Sequence, residues 1–149
     1  MKFFSRSVIR PSDRKPGVVF VFGSNIAGIH GAGAAQTALC EWGAKWHKGI
    51  GHWGASYAIP TKVNPNVGLS LDAVAEYVHA FLVYAECRPD LTFLVTPVGT
   101  GLAGFRHEDI APLFRSGPNN VLLPPIWKPI LRSISEKSLS GSKQKRGQH

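Results

Sequence analysis

Two glycine-dense segments carry the residues best suited to chemistry. The first, residues 23–33, holds Gly23, Ser24, Asn25, Gly28 and His30 and closes on Gly31, Ala32 and Gly33. Side chains this small leave backbone N–H groups uncovered just ahead of a predicted helix, an arrangement that suits a phosphate or pyrophosphate. The second, residues 97–105, repeats the device with Gly99, Thr100, Gly101, Leu102, Ala103 and Gly104 and ends on Phe105. Neither segment is a Walker A loop, since no Gly-Lys-Ser/Thr follows, and Gly28, Gly31 and Gly33 do not reproduce Gly-x-Gly-x-x-Gly. Either loop alone reads equally well as a tight turn; two at matching positions point to ligand binding.

Few side chains near these loops offer catalysis. Asn25 has a carboxamide able to orient a sugar or a water. An imidazole titrates near neutral pH, so His30 is a proton-transfer candidate, set against the plainer role of a hydrogen-bonding loop residue. His52 and Trp53 are placed in the same cleft, with Trp53 as a stacking face, or else in an anchored surface loop. Lys62 is a lesser phosphate candidate. The spacing of His30, His47 and His52 matches no known metal site, and His-Glu-x-x-His and Cys-x-x-Cys are absent, so neither a metal nor a cofactor is expected. Cys40 and Cys87 fall in predicted helices among apolar neighbours and read as buried, reduced thiols. Trp42 and Trp46, four apart, read as packing partners on a helix.

The elements that must hold these residues alternate. Residues 18–22 form an apolar, β-branched and aromatic run that predicts a strand buried on both faces and stopped by Gly23. Ala34, Ala35, Ala38, Leu39 and Trp42 recur at helical spacing, with Gly43 as the stop. Residues 48–54 are too glycine-rich for regular structure, and residues 56–59 resume a strand that Pro60 ends. Ser70 and Asp72 suit the start of a helix over 71–87, whose stripe is Leu71, Val74, Ala75, Val78, Phe81, Leu82 and Ala85. A strand over 91–96, a short helix carrying Ile110, Leu113 and Phe114, and a strand over 120–123 follow. Strands alternating with helices predict an α/β fold, a three-layer α/β/α sandwich with a mixed, largely parallel sheet, in which ligands bind beyond the carboxyl ends of the strands.

The 149 residues, 44% hydrophobic, suffice for one core. No run approaches the roughly 18 apolar residues of a membrane helix, and no secretory leader is seen, so a soluble, cytoplasmic protein is expected. The net charge of +8 sits at the ends. Residues 1–16 carry five basic groups against Asp13 and residues 128–149 six against Glu136, whereas residues 17–127 carry six basic and seven acidic groups. The chain therefore reads as a basic N-terminal segment (1–16), an α/β domain (17–127) and a basic tail (128–149), disordered from about Ser133. The tail either solvates the protein or makes weak nucleic-acid contact by counterion release.

Residues 17–127 resemble the macro-domain family, particularly its short bacterial and phage-associated branch. The run from Val19 to Asn25 is similar to that family's strand leading into an asparagine, Gly28 to Ala35 to its glycine-rich segment, and Thr96 to Phe105 to its second phosphate loop with a terminal aromatic residue. The resemblance implies binding of ADP-ribose or an ADP-ribosylated macromolecule, with hydrolysis of ADP-ribosyl linkages in some members. It places Asn25 near the distal ribose, Gly99 to Gly104 around the diphosphate and Phe105 beside the ribose, in host cytoplasm for a phage-encoded chain. The chain departs from the pattern in two ways. Asp13 does not align with the acidic residue that holds adenine, and Ala34, Ala35 and Gln36 stand where hydrolytic members carry an aspartate. A non-catalytic reader or sequestering protein is the alternative to a hydrolase, and polyanion binding through the basic ends is a third reading.

Overall fold

The computed structural model describes residues 1–6 and 8–136. Its centre is the apolar run expected at residue 18, which extends as β2 (Val18–Asn25) past Gly23. The other strands are β1 (Lys2–Phe3), β3 (Gly51–Trp53), β4 (Ser56–Asn64), β5 (Val67–Gly68), β6 (Thr92–Val95) and β7 (Val121–Leu123). They form one sheet in the order β1-β7-β6-β2-β4-β3, with β5 on β4. All pairs from β1 through β4 are parallel, and β3 and β5 pair antiparallel with β4.

Alternation along β2 divides the core. Val19 and Val21 point into a large cluster with Val74, Val78, Phe81, Leu82 and Ala85 of α2 (Leu71–Glu86). Ile110 of α3 (His107–Ile110) and Leu131 of α4 (residues 128–136) join the same face. Phe20 and Phe22 point the other way, against Ala35 and Ala38 of α1 (Gly33–Glu41) and against Trp42. Helices thus cover both faces of a mixed, mostly parallel sheet, the three-layer α/β/α sandwich that the sequence pattern predicts. Ser70 caps α2 by accepting from the Ala73 N–H at 3.2 Å.

Several local expectations are corrected. Residues 51–53 form a strand rather than loop, because Gly54 adopts φ +59 and turns the chain back through a two-residue connection into β4. Strand β4 runs through Pro60, since β3 pairs only as far as Ala58 and a missing N–H there breaks no bond to it. Residues 133–136 continue α4, while the tail beyond them lies outside the described residues. Cys40 and Cys87 are both exposed free thiols, lying on the outward side of helix ends instead of in the core. Trp42 is buried and stacks on Phe20 with ring centroids 5.1 Å apart, but α1 ends before Trp46, which is 50% exposed. No helix among the described residues is long and apolar enough to cross a membrane.

Candidate ligand cleft at the strand ends

Strands β2, β4 and β6 run parallel, so their carboxyl ends open on one side of the sheet, and a cleft of about 800 Å³ lies there. The first glycine segment supplies Gly23, Ser24, Asn25, Ile29, Gly31, Ala32 and Gly33 to one wall. The second supplies Pro97, Val98, Gly99, Thr100, Gly101, Leu102 and Ala103 to the other. Thr61, Lys62 and Pro65 complete it from β4 and the turn after it. Among the described residues no Asp or Glu lines the cleft, and Lys62 is the one cationic side chain that does.

The pairing of β2 with β4 shifts register between Ser24 and Asn25, with Ser24 opposite Pro60 and Asn25 opposite Lys62. Thr61 is thus an extra residue, and such a bulge re-aims the strand end. The Thr61 hydroxyl donates to Ser24 O at 3.2 Å, and the Lys62 ammonium donates to Pro65 O at 2.6 Å. Only the position of Lys62 just past a predicted strand hinted at this wall. A bulge, set by cross-strand register, has no local sequence mark.

Main-chain donors dominate the chemistry available. α1 begins after Ala32, whose side chain cannot cap it, and the N–H groups of Gly33, Ala34 and Ala35 meet no acceptor among the described residues. A helix start leaves such donors free and carries partial positive charge. Across the cleft the N–H groups of Gly99, Gly101, Leu102 and Ala103 also lack acceptors among the described residues. That loop is braced from within: Phe105 N–H donates to Gly99 O, Gly104 N–H to Gly101 O, and the Thr100 hydroxyl to Pro97 O. Among the glycines that line the cleft, Gly31 and Gly101 stand apart, because neither has a left-handed φ and a Cβ built on either would meet nothing within 4 Å. Neither the turn nor the packing of the protein itself asks for glycine there.

Four residues expected in the site do not line the cleft: Gly28, His30, Gly104 and Phe105. Gly28 and Gly49 lock the first glycine segment to the loop over residues 45–50. A Cβ on Gly28 would lie 2.4 Å from the His47 backbone, and one on Gly49 would lie 2.0 Å from Asn25 O. His30 is buried at 1% exposure, with Nε2 2.9 Å from Lys45 O and 3.1 Å from Lys48 O. Carbonyls only accept, so Nε2 carries a proton and donates to them. Nδ1 is buried with no partner among the described residues. The ring joins two loops, is buried, and is not among the residues that line the cleft. Phe105 packs against the large core cluster.

Asn25 does line the cleft, but its carboxamide is engaged: Nδ2 donates to Ile29 O and Oδ1 accepts from Ile29 N–H, both at 2.9 Å. Ser24 donates to Gly49 O. His52 lies elsewhere, lining a smaller cavity with Arg14 and Lys15; its Nδ1 meets the Tyr84 hydroxyl at 2.5 Å and its Nε2 meets Gly54 O at 3.0 Å. Trp53 does not line the main cleft either. Among the described residues no three His, Cys, Asp or Glu side chains converge. No family model, curated protein or solved structure matches the chain.

Proposed function

We propose that the chain binds ADP-ribose or a closely related nucleotide derivative in the cleft between the two glycine loops, as a reader or sequestering protein acting in the cytoplasm. The observation that carries this reading is two sets of main-chain donors without acceptors among the described residues, at the start of α1 and at residues 99 and 101–103, on the two walls of a cleft that no carboxylate of the described residues lines. Facing amides suit a ligand with negative charge at its middle and polar groups at both ends. Exposed Leu102, at 74%, and Ile29 offer apolar contact to a base or ribose at the rim. The cleft volume falls in the range of small-molecule sites.

Binding is favoured over hydrolysis because, among the described residues, no carboxylate or histidine lines the cleft. His30 is buried and outside its lining, and the Asn25 amide is committed to Ile29. Hydrolysis of an ADP-ribosyl bond needs a water directed at the anomeric carbon, and no group is placed to deprotonate one.

Isothermal calorimetry with ADP-ribose, AMP and inorganic pyrophosphate tests the reading, together with release assays on an ADP-ribosylated protein. Saturable 1:1 binding of ADP-ribose, tighter than that of AMP or pyrophosphate and without product release, is expected. Absence of binding by all three would overturn the site, and steady release of ADP-ribose would reassign the chain as a hydrolase.

A further inference from the structure

Trp46 is a large apolar side chain left half exposed on the outer side of the loop over residues 45–50, away from the cleft lining. It is not loosely hung there. Its ring lies over the His30 ring at 6.1 Å with planes 12° apart, and His30 in turn meets Phe22 edge-on at 5.4 Å. His30 is itself pinned to the carbonyls of Lys45 and Lys48. The indole therefore ends a row of rings that reaches the sheet, with the His47 ring 6.2 Å away and half of the Trp46 side chain open to solvent. His47, with φ 65, holds the loop in a left-handed conformation unusual outside glycine.

Two cations share the loop of Trp46. The Lys48 ammonium lies 5.1 Å and the Lys45 ammonium 5.8 Å from the centre of the Trp53 ring, which holds both close to the surface. Neither lysine makes a salt bridge among the described residues. A preorganised aromatic face with flanking positive charge is what a single nucleic-acid strand needs, because any base stacks on the ring and phosphates meet the cations. A duplex hides its base faces within its own stack. An acidic peptide would use the lysines and leave the ring idle, and a bilayer calls for rings that project instead of lying flat on a buried neighbour.

We infer that the surface formed by Trp46, Lys45 and Lys48 binds single-stranded nucleic acid, with Trp46 as the base-stacking platform and the lysines as phosphate contacts. The site is separate from the cleft and does not depend on what the cleft binds. It also differs from the basic chain ends, which offer charge without a stacking face.

The test is a fluorescence-anisotropy titration of the full chain with a labelled oligothymidine, the matching duplex, poly-glutamate and phosphatidylserine vesicles. Variants are Trp46→Leu, which still covers His30, Trp46→Phe, Lys45→Gln with Lys48→Gln, and Lys143→Gln with Lys145→Gln and Arg146→Gln. Single-strand binding is expected to fall about tenfold in Trp46→Leu, to be largely kept in Trp46→Phe, and to quench tryptophan fluorescence. The Lys45/Lys48 variant should lower the slope of log affinity against log salt by about one to two. Calorimetric binding at the cleft should be unchanged in all of them. Wild-type strand affinity in Trp46→Leu, loss of binding in the tail variant alone, or equal affinity for duplex, poly-glutamate or vesicles would each overturn the inference.

Discussion

Asn25 grips Ile29 from both ends, its Oδ1 accepting the Ile29 N–H and its Nδ2 donating to the Ile29 carbonyl, each at 2.9 Å. This closed pair shapes the first glycine segment where β2 ends, so Asn25 shapes the cleft wall through the loop it folds. Asn25→Ala leaves both Ile29 groups unpaired and should cost about 1–3 kcal/mol. Ligand affinity should fall with it, and hydrogen exchange at the Ile29 amide should quicken. Full protection of that amide in the variant would show that another contact holds the loop.

The glycines separate into two kinds. Gly28→Ala and Gly49→Ala drive a Cβ into backbone at 2.4 Å and 2.0 Å and should unfold or strongly destabilise the protein. Gly31→Ala and Gly101→Ala enter open space and should change stability by no more than about 0.5 kcal/mol. The last two should nevertheless weaken ADP-ribose binding, because the methyl groups line the cleft. Thermal melting and calorimetry on the four variants decide the matter; unaltered affinity in both open-space variants would detach these glycines from ligand contact.

His30 is a structural clamp in this geometry. His30→Ala should cost about 2–4 kcal/mol through lost packing against Phe22 and Trp46, the lost donor to Lys48 O, and the loss of one of two donors to Lys45 O. His30→Gln keeps a donor and should cost less. Affinity per folded molecule should change little in His30→Gln, whereas a large loss at unchanged melting temperature would mean that the ring reaches the ligand after all.

Asn120 ties the end of α2 to the sheet, since its Nδ2 donates toward Ala85 O, Arg88 O and Leu91 O at 2.9–3.1 Å. Asn120→Leu should destabilise by about 1–3 kcal/mol in urea unfolding. Asn120→Asp should cost more, because it sets a carboxylate against three carbonyl oxygens.

Burial, and behind it the neighbouring Tyr84, raises the Tyr57 phenol above its ordinary value of 10.0. The unfolded chain thus gives up this proton first. The stability linked to the neutral phenol is whole below pH 10 and is lost as the pH rises through the folded-state value. Urea midpoints measured from about pH 8 to about pH 11 should fall less steeply in Tyr57→Phe than in the parent. Parallel curves would place the alkaline sensitivity on other groups.

Periodicity alone determined the alternating α/β order, the apolar stripe of α2 and the two glycine loops that flank the cleft. These depend on contacts a few residues apart along the chain, where spacing and burial are tightly coupled. Tertiary structure decided what each loop residue does. Thr61 enters the cleft through a register shift visible only when β2 lies beside β4. His30 changes from a possible acid–base group to a buried clamp because residues 45–48, distant along the chain, close over it. Helical spacing made Trp42 and Trp46 look equivalent, yet α1 ends at Glu41, ahead of both, and the irregular chain that follows leaves one in the core and the other half exposed. A side chain's chemistry follows from its type, but its use depends on which distant backbone arrives beside it.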